Sequence, residues 1–222
     1  MRVALLGSTG SIGRQALEVL EADPSFRVVA LASGSNAGLL AEQAARVHPA
    51  AIALGVGGAP GAGGTERAAV GRGIPEGTQV LRGDDALLEL ATRDDVDLVV
   101  VGSGGVVSLR PVIAALDAGK IVATANKETL VAGGHLVMPR ARARAAERRT
   151  VAPADSLASP LGWLRPIDSE HSAIWQCLAG EDLARVDRLI LTASGGPFLD
   201  TPTAAFAAIT PDQALRHPTW RM

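Results

Sequence analysis

The sequence predicts an α/β protein built on a parallel sheet, and two observations carry that expectation. From residue 2 to about residue 149, short apolar runs rich in Val, Leu and Ile alternate with longer Ala- and Leu-rich stretches at helical spacing, the pattern of repeated strand–helix–strand units. Most of the apolar runs also lack polar alternation, as expected when helices cover both faces of a sheet.

Taken in order, strands are expected at Arg2–Leu6, Arg27–Ala32, Ala51–Leu54, Gln79–Leu81, Asp97–Val101 and Ile121–Thr124. Helices are expected at Ser11–Ala22, Ala37–Arg46, Asp84–Thr92 and Leu109–Ala118, then at Lys127–Ala132 followed by His135–Arg149. Two stretches break the alternation. Residues 55–73 hold eight glycines in 19 residues and read as a surface loop without function. Val151 to Trp163 carries two prolines and little periodicity, so a domain boundary is expected there, dividing the chain into 1–150 and 151–222. The arginines at 140, 142, 144, 148 and 149 read as one solvated helix face.

Composition narrows the function classes. With 47% hydrophobic residues and a formal charge of −2, the 222-residue chain suits a globular fold and is a poor partner for nucleic acid. No run approaches the roughly 20 apolar residues that a membrane-spanning helix needs, and the apolar start Val3–Leu6 is too short for a secretory leader. The single cysteine, Cys177, forms no internal disulfide and suits a reducing compartment, so a cytoplasmic protein is expected. Its apolar surroundings, Ala173 to Leu178, suggest a core thiol rather than a nucleophile.

The first strand runs straight into Gly7-Ser8-Thr9-Gly10-Ser11-Ile12-Gly13 and then a helix. Glycines at 7, 10 and 13 let the turn close, let backbone approach a diphosphate, and let the helix pack on the strand, while the helix N-terminus offers free N–H groups and a partial positive charge. This is a dinucleotide site on a Rossmann-like, doubly wound sheet. The end of the second strand, Ala32-Ser33-Gly34-Ser35-Asn36, lacks the acid that usually binds an NAD ribose, which favours NADPH.

Further segments make the reading specific: Ala125-Asn126-Lys127-Glu128, Pro166-Ile167-Asp168-Ser169-Glu170-His171, Thr192 to Phe198 (TASGGPF), and the ending Thr210 to Met222. Together with GSTGSIG they closely resemble the 1-deoxy-D-xylulose 5-phosphate reductoisomerase family, over nearly the whole chain. The resemblance implies a reaction in two stages, rearrangement of a ketose phosphate skeleton and hydride delivery from NADPH, giving 2-C-methyl-D-erythritol 4-phosphate for isoprenoid synthesis. It implies a complete homodimeric enzyme with a third metal-binding glutamate beyond Met222. Residues 1–222 are then its NADPH-binding domain and the beginning of an α+β catalytic domain, inactive by themselves.

The same resemblance distributes the roles. Thr9, Gly10, Ser11, Ile12, Gly34, Ser35, Asn36, Asn126 and Glu128 would meet the cofactor, and Lys127 the substrate, where its charge would steady developing oxygen anions. Asp168 and Glu170 would hold Mn²⁺ or Mg²⁺, hard ions that take oxygen ligands. Two residues apart, they would point to one side of an extended segment. Ser169, Glu170, Ser194, His217 and Trp220 would meet the sugar phosphate, with Trp220 in a mobile lid and Ser194 in a backbone nest after the apolar strand Leu189–Leu191. His171 is read as supporting rather than ligating. This chain departs from the family at Ser35, where relatives often carry a basic residue, at Arg221, where they carry a small one, and in a longer link between Glu128 and Asp168. Two alternatives stay open: an NADPH-binding sensor or scaffold, and a semialdehyde or homoserine-type dehydrogenase, the semialdehyde version of which needs a nucleophilic cysteine.

Overall fold

The computed structural model describes residues 1–54, 73–152, 155–192, 196–216 and 218. These divide into two compact units, Met1–Asp168 and Ser169–Met222. The expected loop at 55–73 lies outside the described residues except for Gly73.

The first unit holds a seven-stranded sheet in the order β4-β3-β2-β1-β5-β6-β7, every pairing parallel. Its strands are β1 (Arg2–Leu6), β2 (Arg27–Ser33), β3 (Ala51–Leu54), β4 (Gln79–Leu81), β5 (Leu98–Val101), β6 (Ile121–Thr124) and β7 (Leu164–Pro166). Between them run α1 (Ser11–Ala22), α2 (Ala37–Val47), α3 (Ala86–Thr92), α4 (Leu109–Asp117) and α5 (Lys127–Val151), with the short α6 (Pro160–Trp163) ahead of β7.

Strand β1 shows why the fold takes this form. Val3, Ala4, Leu5 and Leu6 are all fully buried, so neither face of the strand tolerates a polar side chain. Successive side chains point to opposite faces. Val3 and Leu5 enter one core with Leu17 and Leu20 of α1 and Leu40 and Ala44 of α2. Ala4 and Leu6 enter the other with Leu87 and Leu90 of α3, Val112 and Leu116 of α4, and Val137 and Ala141 of α5. The sheet is therefore doubly wound.

After β4 the chain returns to pair β5 with β1 on the side away from β2. That reversal opens a crevice at the C-terminal ends of β1 and β5, where sheets of this kind bind ligands.

Helix α5 behaves as the sequence predicts, as two helices meeting near residue 133. Gly133 has non-helical torsions (φ −130°, ψ 16°). A Cβ there would come within 2.4 Å of Leu109 Cδ1, so the absent side chain lets α4 pack against the bend. Arg142, Arg148 and Arg149 on the arginine face of α5 are exposed, as expected, and several of the face's side chains are also tied to neighbours. Arg140 pairs with Asp117 at 2.9 Å, Arg148 with Asp155 at 2.5 Å, and Arg144 donates to Leu116 O at 2.9 Å.

Strand β7 corrects the expectation of six strands. Three residues with a proline at the end carry too little periodicity to be read as a strand, yet Leu164, Arg165 and Pro166 pair in register with Val122, Ala123 and Thr124. The stretch ahead of it is ordered as well. A 3₁₀ turn at Ser156–Ala158 is capped by Asp155, Arg149 donates to Ala158 O at 2.8 Å, and Trp163 Nε1 donates to Leu157 O at 2.8 Å. The described residues from 155 to 168 thus pack with the sheet.

Among its described residues the second unit carries α7 (Ser169–Leu178), three 3₁₀ turns and α8 (Pro211–Ala214). None of these elements buries a residue. Cys177, expected in a core, is exposed for that reason. Leu189–Leu191 is not a strand: its side chains are 61–73% exposed and it pairs with nothing among the described residues.

Two stability measurements check the sheet unit. Leu5→Ala should cost about 2–5 kcal/mol in denaturant unfolding, because it empties a fully buried site in the central strand. Asp97 is held down to about 2, chiefly by its bond to the Arg2 guanidinium and then by the Arg2 N–H. A lowered carboxyl stabilises the fold fully above its unfolded value near 3.9 and loses that contribution as pH falls toward 2. The melting temperature of Asp97→Asn should therefore lie below wild type at pH 7 and converge with it near pH 2.

Candidate cofactor crevice

Helix α1 begins at the end of β1, and the turn between them is built by close backbone approach. Gly7, at φ +85°, is in a conformation only glycine adopts readily, and a Cβ on it would lie 2.6 Å from Ser103 N on the loop after β5. A Cβ on Gly13 would lie 2.0 Å from Gly7 O. Gly7 and Ser8 both donate to Ala32 O at 2.9 Å, fixing the turn to the end of β2. From α2, the buried Gln43 donates to Ser8 O at 2.9 Å.

The start of α1 is left without a cap of its own. Gly10 is the N-cap residue and brings no side chain, and no acid occupies the first turn. Arg14 N is the first to donate back, to Gly10 O at 3.0 Å. The N–H groups ahead of it stand at the positive end of the helix dipole, an arrangement suited to a diphosphate. Ile12, 42% exposed, presents an apolar side chain at the same edge.

At the end of β2, Ser33 is buried and its hydroxyl lies 2.7 Å from that of Thr9, so the turn and the strand end are tied through side chains as well. Gly34, Ser35 and Asn36 are exposed. Asn36 Oδ1 accepts from Leu39 N at 3.1 Å and caps α2, which gives that asparagine a structural task.

The opposite wall is the loop after β5, Gly102 to Ser108, together with the start of α5. Asn126 caps α5 and is 2% exposed. Its amide nitrogen donates to Ser103 O at 2.6 Å and Gly105 O at 2.7 Å. Lys127 follows as the first residue of α5, half-buried, where its charge opposes the helix dipole, while the exposed Glu128 in the same turn complements it.

The residues expected to hold a metal are placed differently from the extended segment envisaged. After β7 the chain bends at Asp168, which is 9% exposed, and enters α7 at Ser169. Glu170 therefore sits in the first turn of α7 rather than in an extended segment. Ser169 and His171 are exposed. Within its own unit Glu170 lines a cavity of about 320 Å³ with Ile174, Cys177, Arg188 and Thr192. Among the described residues no three His, Cys, Asp or Glu side chains come together as a metal site. Ser194, His217 and Trp220 lie outside the described residues.

Sequence reading missed Gly102, Ser103 and Gly105 as a wall of the crevice, and Gln43 as a brace beneath it. The run Gly-Ser-Gly-Gly at 102–105, following the apolar β5, was the available signal for the first. Gln43 carried none.

A parallel sheet reversed between β1 and β5, with a glycine turn leading into an uncapped helix at the reversal, defines a dinucleotide-binding α/β protein. Comparison with known proteins narrows this. The family model for 1-deoxy-D-xylulose 5-phosphate reductoisomerase matches residues 3–134, and that for the C-terminal domain of the same enzyme matches residues 164–222. The chain belongs to the 1-deoxy-D-xylulose 5-phosphate reductoisomerase family. The reductoisomerase of Heliobacterium modesticaldum is 47% identical over 225 residues, and that of Pelotomaculum thermopropionicum 44% over 221, covering 100% and 99% of this chain but 51% and 52% of theirs. The chain thus spans about half the length of these relatives. Among solved structures, the Zymomonas mobilis reductoisomerase in complex with NADPH superposes with a TM-score of 0.73 at 33% identity, covering 98% of this chain and 52% of that one. A reductoisomerase in complex with NADPH, fosmidomycin and magnesium gives 0.71 at 32% identity, covering 100% and 52%.

Gly13→Ala tests the crevice. The added methyl has no room beside Gly7 O, so the turn must open. Dinucleotide affinity, measured by fluorescence titration, should fall at least about tenfold, whereas Gly38→Ala, at a position with nothing near it, should leave affinity unchanged.

Proposed function

We propose that the protein carrying this chain converts 1-deoxy-D-xylulose 5-phosphate to 2-C-methyl-D-erythritol 4-phosphate with NADPH and a divalent metal, Mn²⁺ or Mg²⁺, and that residues 1–150 bind the cofactor while 151–222 begin the catalytic domain. The observation that carries the reading is the crowding of Gly7, Gly13 and Ser103 backbone around an uncapped helix start. No Cβ fits that cradle, and its unused N–H groups suit a diphosphate. Relatives solved in complex with NADPH, with magnesium and with fosmidomycin support the cofactor and the metal.

In this reading Thr9, Gly10, Ser11 and Ile12 surround the diphosphate, and Gly34, Ser35 and Asn36 meet the adenosine ribose and its 2′-phosphate through hydroxyl and N–H groups instead of a basic side chain. Asn126 and Glu128 border the nicotinamide side. Lys127 meets the substrate as a cation held by the start of α5, where it steadies charge developing on the substrate oxygens. Asp168 and Glu170 supply carboxylate oxygens to the metal, whose chemistry is to polarise the substrate carbonyl as a Lewis acid. Ser169, Glu170, Ser194, His217 and Trp220 bind the sugar phosphate. The complete protein is a cytoplasmic homodimer. Among the described residues no helix is long and apolar enough to cross a membrane.

In the complete protein, NADPH oxidation should require both the ketose phosphate and the metal, and Asp168→Asn should weaken Mn²⁺ binding by about tenfold or more while leaving NADPH affinity intact. Oxidation that proceeds without metal contradicts the proposal. A protein that takes up NADPH but neither Mn²⁺ nor the ketose phosphate is a sensor rather than an enzyme.

A further inference from the structure

Gln43, on α2, is 2% exposed, and its amide makes a single bond, from Nε2 to Ser8 O at 2.9 Å. A carbonyl only accepts, so nitrogen is the end of the amide turned toward it. The other end gains nothing. Gln43 Oε1 is buried and, among the described residues, without a partner, and the same holds for the hydroxyl of Ser8. A methionine would fill the same space without burying an unsatisfied oxygen, so packing gives no reason for glutamine here. The reason lies in the one bond that the amide makes.

Ser8 O belongs to the peptide that joins Ser8 to Thr9, which is trans. In a planar trans peptide the C=O and N–H point in opposite directions, so holding Ser8 O toward α2 turns Thr9 N–H away from it. The neighbouring N–H groups of the turn are spent within the fold: Gly7 and Ser8 donate to Ala32 O at 2.9 Å, and Gly10 to Gly7 O at 3.1 Å. Thr9 N–H donates to nothing among the described residues, although the hydroxyl of the same residue is fixed 2.7 Å from that of Ser33. A committed amide behind the turn thus backs an idle N–H in front of it.

We propose that Gln43 is a positioning residue, which through Ser8 O aims Thr9 N–H at a phosphate oxygen of the dinucleotide. This deepens the NADPH reading above and rests on it. The position requires a donor. Glutamate keeps the shape and donates only while protonated, and methionine keeps the bulk and never donates.

The test uses the complete protein with Gln43→Glu and Gln43→Met, and reads the NADPH dissociation constant as a ratio to wild type, which removes the cofactor's own titration. Gln43→Met should bind about tenfold more weakly or worse at every pH. Gln43→Glu should be as weak near about pH 9 and recover to within about threefold of wild type near about pH 5.5, where a buried carboxyl is protonated and again donates to Ser8 O. The titratable side chains of α1, α2 and the turn after α2, namely Arg14, Glu18, Glu21, Glu42, Arg46 and His48, are all exposed, so the introduced carboxyl is the group that titrates in the buried site. With NADH in parallel, a loss common to both cofactors puts the acceptor on the diphosphate and a loss confined to NADPH puts it on the 2′-phosphate; either bears the assignment out. Equal weakening by both variants at every pH would mean that shape and not the donor matters, and unchanged affinity in both would reduce the bond to a structural tie. Each overturns the proposal. Should Gln43→Met fail to fold, the recovery of Gln43→Glu at low pH decides alone. A wild-type protein that binds no NADPH fails at an earlier step, refuting the cofactor reading and this assignment with it.

Discussion

The backbone of Gly7 runs against the backbone of Ser103, and Gly13 runs against Gly7, with no space for a Cβ at either glycine. This three-way approach joins the end of β1, the start of α1 and the end of β5, elements separated by about a hundred residues of chain. It follows from the pairing of β1 with β5, which places the reversal of strand order at the middle of the sheet. A side chain at either glycine would force the helix off the strand, and the uncapped N–H groups would then no longer converge on one point. The dinucleotide crevice is in this sense a consequence of packing density.

Around that point the structure divides its polar groups between holding and offering. Gln43, Asn36, Ser33 and Asn126 are committed to backbone or to each other's loops, and they hold the turn, the start of α2, the strand end and the β5 loop. What faces a ligand is mostly backbone N–H and the exposed hydroxyls of Ser11 and Ser35. Polar groups held this way keep a site in shape. The arginines of α5 do comparable work on the far side of the sheet, where Arg140 and Arg144 bind the C-terminal end of α4.

The second unit is organised on other terms. Its described elements are short and bury nothing, and Leu189, Ile190 and Leu191 stand exposed. The chain spans about half the length of its relatives, and residues 164–222, which include this unit, match the family's C-terminal domain model.

Much was legible in the sequence because it is local. Alternating apolar runs of two periodicities reveal strands and helices, Gly133 divides α5 where a helical pattern falters, and glycines spaced three apart after a strand announce a turn into a helix. Family motifs such as Ala125–Glu128 and Asp168–His171 survive as short strings for the same reason. Tertiary structure decided what depends on residues far apart. Strand β7 exists because Val122 to Thr124 offer it an edge, not because three residues prefer to be extended. The bend at Asp168 puts Glu170 on a helix, and Asn126 gains its partners only when the loop some twenty residues earlier folds over it. Periodicity is written in neighbouring residues, whereas a hydrogen bond across a crevice has no local cause and appears only once the sheet has set its strands side by side.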